Sequence, residues 1–143
     1  MQQFYNNHNQ VFLQLNYDAD NNWVYANWIG YISEASVITG TDALLEMLAK
    51  TKCPYLLNDN RQLNGPWDKS NHYVEEEVIP RAIAFGLRHM AHILAPAVSG
   101  ALSAQDLQRR TCGLLEMKLF GDMEKARKWL YSCQEQNHLK TKN

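Results

Sequence analysis

The stretch YLLNDNRQLNGPWDKS (55–70) begins as an apolar run and ends as a polar one, with Asp59 and Arg61 two residues apart just past the change. A carboxylate and a guanidinium at the carboxyl end of a strand form a polar pair of the kind that open α/β sheets use to orient ligands. The plainer role is a turn in which Asp59 accepts backbone N–H groups while Arg61 pairs with it. Trp67, in the Gly65-Pro66-Trp67 turn, suits a lid, a partner anchor or a plug in the core. Ser70 stands two residues before His72, but an activated nucleophile also needs an orienting third group and an oxyanion hole. Further along, PAVSGALS (96–103) supplies Val98 and Leu102, either as apolar walls of a pocket whose polar end is Asp59 and Arg61, or as plugs beneath a following helix.

Other chemistry is less well supported. His89 and His92 have metal-ligand spacing for a helix, but HMAHILA reads as a strand, on which they point to opposite faces. No metal or cofactor is expected. Cys53, Cys112 and Cys133 lack any C-x-x-C spacing and read as reduced thiols. Glu75, Glu76 and Glu77 fan around a helix start and cannot all face one ligand. The sequence holds no G-x-S-x-G, phosphate-loop or dinucleotide motif, so no catalytic residue is assigned.

The elements that must position these residues follow from periodicity. VFLQLNY (11–17) alternates, WVYANWI (23–29) favours β structure, and the turn formers DADNN between them imply an antiparallel hairpin. Helical spacing predicts a helix over 33–50 with Ser33 as N-cap, weakened by Gly40, and then a strand over 54–58. A second helix follows Asp68 or Ser70 and is kinked at Pro80. A buried strand over 89–95, a helix over 103–113, an edge strand over 115–119 and a helix from Asp122 complete the order β-β-α-β-α-β-α-β-α. Residues 1–10 and 134–143 read as polar tails. The expectation is one α/β domain over 1–143 with a five-stranded mixed sheet, its parallel strands joined by helical crossovers.

The chain of 143 residues carries 14 lysines and arginines against 15 acids, a net charge of −1, which leaves no sizeable net positive charge to attract phosphate backbones or anionic membranes and argues against a nucleic-acid role. No apolar run reaches the ~18 residues of a membrane span, and MQQFYNNHNQ lacks the pattern of a signal peptide, so a cytoplasmic protein is expected.

The element order, YLLND before the Gly-Pro-Trp turn, the acidic helix, Pro80-x-Ala82, Gly86, Ala91 and the closing FGDMEKARKWL resemble the SpoIIAA-like (STAS) superfamily. The resemblance spans roughly 11–130 and extends loosely to lipid-transfer domains of the CRAL-TRIO type. It implies a regulatory module that switches protein partners by phosphorylation of a hydroxyl just after the Asp that ends the third strand. Here Asp59 is followed by Asn60, Arg61 and Gln62, with no hydroxyl until Ser70, so the phosphoswitch does not carry over. The resemblance therefore points to a less characterised branch: a non-catalytic protein-interaction module, possible also as a homodimer, with Asp59, Arg61, Trp67, Ser70, Val98 and Leu102 as partner or ligand candidates. The alternative is a carrier of a lipid or other small apolar ligand, which requires a cavity of at least a few hundred Å³. A hydrolase is the remaining reading.

Overall fold

The computed structural model describes residues 1–142, with side chains through residue 140. Its sheet has six strands in sequential order: β1 (Gln2–Tyr5), β2 (Val11–Asp18), β3 (Trp23–Gly30), β4 (Tyr55–Leu63), β5 (His89–Ile93) and β6 (Glu116–Phe120). The expected hairpin forms, with β2 antiparallel to β3, and β3 through β6 run parallel. The strand missed in the sequence is β1, which lies inside the supposed N-terminal tail and pairs antiparallel with β2. Its residues are mostly exposed, with only Phe4 packed on the core, so it lacks the apolar alternation that reveals a strand.

The parallel strands are linked by helical segments that pack on one face: α1 (Glu34–Thr51), a composite segment over 68–84, and α4 (Val98–Thr111). Ser33 caps α1 as expected, its Oγ accepting from Ser36 N at 3.1 Å. The composite segment runs from a 3-10 turn (Asp68–Ser70) through α2 (Asn71–Tyr73) and a π turn (Val74–Val78) into α3 (Ile79–Ala84). Pro80 explains the widened turn before it, because proline lacks the N–H that would close an ordinary i to i−4 bond. The opposite face is covered over β4, β5 and β6 by α5 (Met123–Lys142). That helix starts where Asp122 Oδ1 accepts from Lys125 N at 2.8 Å. It runs on through most of the supposed C-terminal tail, where Gln134 reaches Asn21 O at 2.8 Å and Asn137 reaches Tyr55 Oη at 2.6 Å.

Gly40, which weakens α1 by propensity, is required by packing. A Cβ there would lie 2.6 and 2.7 Å from two Trp28 ring atoms. That ring is held by its Nε1 donating to Asn58 Oδ1 at 2.9 Å, so it cannot swing aside. Gly40→Ala is accordingly expected to lower stability by about 1–2 kcal/mol, the overpacking cost exceeding the helix-propensity gain of about 1 kcal/mol, as read by urea unfolding.

Candidate functional site

The polar half of the opening stretch is strand. β4 continues to Leu63 and carries a bulge: Asn27 pairs with Asp59 but Ile29 with Gln62, so β4 holds one more residue than β3 over that interval. The bulge lets Asn58, Asn60 and Leu63 all face the helical layer, while Asp59 and Arg61 turn to the other face. An extra residue in a strand leaves a backbone N–H without a ladder partner, and Asp59 supplies one, its Oδ1 accepting from Arg61 N at 3.0 Å. The Arg61 guanidinium adds bonds at 3.0 Å from Nε and 2.8 Å from an Nη, and Tyr25 Oη donates to Oδ2 at 2.6 Å. Burial pushes the Asp59 carboxyl up, yet the bonds from Arg61 and Tyr25 outweigh it and hold the group below the usual carboxylate range. Burial and the neighbouring carboxylate push Tyr25 up to about 12. Asp59 is 1% exposed and its acceptors are occupied, so the pair braces the bulge.

This corrects the expected pocket. Asp59 and Arg61 lie across the sheet from α4, and residues 98–103 belong to that helix, which begins five residues earlier than its weak helix formers Val98, Ser99 and Gly100 suggest. Val98 and Leu102 neither wall a pocket with the ion pair nor plug the core: they are 75% and 59% exposed. Ser70 is buried, and among the described residues no hydrogen bond links it to the exposed His72.

Trp67 is half-buried and fills space between the sheet and α4. Its backbone N donates to Ser103 Oγ at 3.1 Å, and its ring lies 5.8 Å from that of His92. Asn71 fastens the same segment to α4, reaching Ser103 O at 3.0 Å and Asp106 Oδ2 at 2.9 Å, while Arg110 bridges Asp106 and Glu75.

A chain of buried polar groups runs beneath this plug. Trp28 Nε1 donates to Asn58 Oδ1, the Asn58 amide nitrogen lies 3.0 Å from His92 Nδ1, and the Asn60 amide lies 3.2 Å from His92 Nε2. Burial drives the His92 ring down to about 4, with the Asp59 charge opposing, so the imidazole is neutral at pH 7. A neutral ring accepts at one nitrogen and donates at the other. Because Trp28 occupies the Asn58 oxygen, Asn58 donates to Nδ1. Nε2 therefore carries the proton, and the Asn60 amide, whose Nδ2 is placed 3.2 Å away, accepts it only with its oxygen and nitrogen exchanged.

Beside the chain lies a cavity of about 80 Å³ between the sheet, α1, α3 and α4, walled almost wholly by apolar groups, including those of Leu44, Leu56, Val78 and Leu107, with Asn60 and Trp67 also among its lining residues. Asn60 and the cavity are not site features in the sequence reading, and His92 enters it only as half of a metal-ligand spacing that the strand sets aside. The spacing Asn58-x-Asn60 on one strand and His92 on the next offers a signal only once the parallel register is known.

His89 and His92 fall on opposite faces, as expected for a strand. Across from the cavity His89, Glu116 and Cys133 bring ligand-type atoms within 4.8 Å of one another. The Cys133 thiol is pushed up to about 11, chiefly by burial, and Glu116 is exposed. The three cysteines are free, Cys53 and Cys133 buried and Cys112 exposed. Among the described residues no helix is long and apolar enough to cross a membrane.

No known protein-family model matches the chain, and a comparison with curated proteins finds no match.

Proposed function

We propose that this protein is a non-catalytic module of SpoIIAA-like (STAS) type that works by binding a protein partner at the carboxyl rim of its parallel strands. One observation carries the reading: an apolar rim left bare. Tyr31 is 77% exposed, and Val98 and Leu102 stand one helical turn apart at the start of α4. Gly65 links these parts, lying against the Tyr31 ring on one side and near Gly100 of α4 on the other, with Pro66 and Pro96 exposed beside them. Exposed aromatic and aliphatic groups gathered on one rim are what a partner surface supplies. The antiparallel pair feeding four parallel strands agrees with the family resemblance, and the buried Asn58, Asp59 and His92 side chains bond to structural partners rather than in nucleophile–base geometry. The lipid-carrier reading draws less support: the apolar cavity between the sheet and its helices is only about 80 Å³, and the larger cleft of about 860 Å³ beside Tyr31 is half lined by polar residues, among them Asn6, Asn7, His8, Gln10 and Asn64.

The double variant Val98→Asp/Leu102→Asp tests the proposal. Both positions are exposed, so unfolding free energy is expected to stay within about 0.5 kcal/mol of the parent. Proteins captured by the parent as bait are expected to be lost from the variant. Light scattering over a range of concentrations detects a homodimer, in which case the variant is expected to be monomeric. Unchanged capture and unchanged mass together contradict the rim as the working surface.

A further inference from the structure

The face of the sheet opposite the cavity gathers three ligand-type side chains from three separate elements, which no short spacing motif reveals. His89 and Glu116 open β5 and β6 and are direct partners in the parallel register, so their side chains stand next to each other on one face. Cys133, buried on α5, comes down against them. One imidazole nitrogen, one carboxylate oxygen and the thiol sulfur all lie within 4.8 Å of one another. The imidazole is fixed by packing: it stacks on Tyr55 with ring centroids 5.5 Å apart and meets Trp129 of α5 edge-on at 6.0 Å. Tyr55 is fastened in turn by Asn137, one turn beyond Cys133, whose Nδ2 donates to Tyr55 Oη at 2.6 Å. Among the described residues the buried His89 Nδ1 forms no hydrogen bond, although Glu116 Oε2 stands 3.4 Å from it. A buried ring nitrogen held this firmly is costly to leave unmet.

We propose that His89, Glu116 and Cys133 bind a zinc ion that ties α5 to the amino ends of β5 and β6, with water in the fourth position. The site is at the other end of the strands from the rim and independent of it. A mixed set of thiolate, imidazole and carboxylate suits this borderline-soft ion. Ligand atoms around one tetrahedral zinc stand roughly 3.4–3.6 Å apart, so His89 and Glu116 are already spaced for it, and the other ligand distances need to shorten by no more than about 1.2 Å. Glu116 is exposed, which leaves its carboxylate free to swing and opens the fourth position to water. The charges balance, since one thiolate and one carboxylate offset a divalent ion. Burial keeps the Cys133 thiol protonated without the ion, so binding releases that proton, and the Lys118 charge favours the thiolate that results.

The direct test is a titration of the untagged, reduced protein with cobalt(II), which occupies zinc sites and reports a thiolate ligand by charge-transfer absorption in the near ultraviolet. The expected result is a band that saturates at one equivalent and is bleached by zinc. Cys133→Ser is expected to lose the band, while Cys112→Ser, which removes the exposed thiol, keeps it. Glu116→Gln alters an exposed side chain and leaves the fold intact, and it is expected to bind zinc at least about tenfold more weakly in competition with a chromophoric chelator. His89→Phe keeps a ring between Tyr55 and Trp129 and is expected to lose at least about tenfold as well. Absence of the band from the parent, a band that rises without saturation, or a band that survives Cys133→Ser overturns the proposal. Unchanged zinc affinity in either Glu116→Gln or His89→Phe overturns it too, since that residue is then no ligand. The Val98→Asp/Leu102→Asp variant is expected to bind zinc like the parent, so loss of the rim function and loss of this site are told apart.

Discussion

Lowering the pH from 7 to 4 is expected to remove about 3 kcal/mol of unfolding free energy through His92 alone. Burial depresses the folded-state value to about 4 from the ordinary 6.5, so the unfolded chain binds the proton first. The neutral ring's contribution is therefore complete above pH 6.5 and is lost as the pH falls toward 4, at about 1.4 kcal/mol per unit of separation. Asp59 acts in the same sense at lower pH: its depressed carboxyl stabilises the fold above the ordinary carboxylate range and ceases to do so below it. Burial also lowers His89, although Glu116 opposes this, so its contribution must be separated from that of His92. Urea unfolding of the parent and of His92→Asn across pH 7 to 4 does this, because His89 is common to both. The parent is expected to lose about 3 kcal/mol more than the variant over that window. Parallel profiles would mean that the ring is not held neutral in the core.

Asp59→Ala is expected to cost about 2–3 kcal/mol without affecting partner binding. It strips the acceptor from Tyr25 Oη and from the Arg61 backbone N–H at the bulge, and both donors then face a poorly hydrated environment. Arg61→Ala is expected to cost about 1 kcal/mol or less, since the Arg61 side chain is 47% exposed and water replaces much of what it gives. Chemical denaturation of the two variants reads the difference. Equal costs would place the stabilisation in the ion pair rather than in bracing of the bulge. Loss of partner capture by a folded Arg61→Ala protein would restore Arg61 as a binding residue.

The parallel half of the sheet is legible because its strands are either largely apolar, as His89–Ile93, or alternate cleanly, as Glu116–Phe120, and are separated by helical spacing. β4 was cut short at Asn58 for a definite reason. Asp59 and Asn60 are polar yet only 1% and 2% exposed, and the partners that allow this, Tyr25 and His92, are 34 and 32 residues away in the chain. Propensity takes no account of such pairing. β1 escaped because an edge strand of Gln2, Gln3 and Tyr5 has little apolar face to alternate. The supposed C-terminal tail was helix because Gln134 and Asn137 find acceptors on distant turns and strands, which local polarity does not reveal. At the candidate site the sequence singled out Asp59, Arg61 and Trp67, but not which face of β4 each would occupy, because the bulge resets the alternation. Val98 and Leu102 were placed at the correct end of the sheet, and only the structure shows that they face outward.

Hydrogen–deuterium exchange of the protein with and without its captured partner is the measurement closest to the central claim. Slowed exchange is expected around Tyr31, at residues 64–67 and over the first turn of α4 from Val98 to Leu102, with little change over α5. Protection confined to α5, or to the face bearing Asp59 and Arg61, would contradict the rim as the surface through which this protein acts.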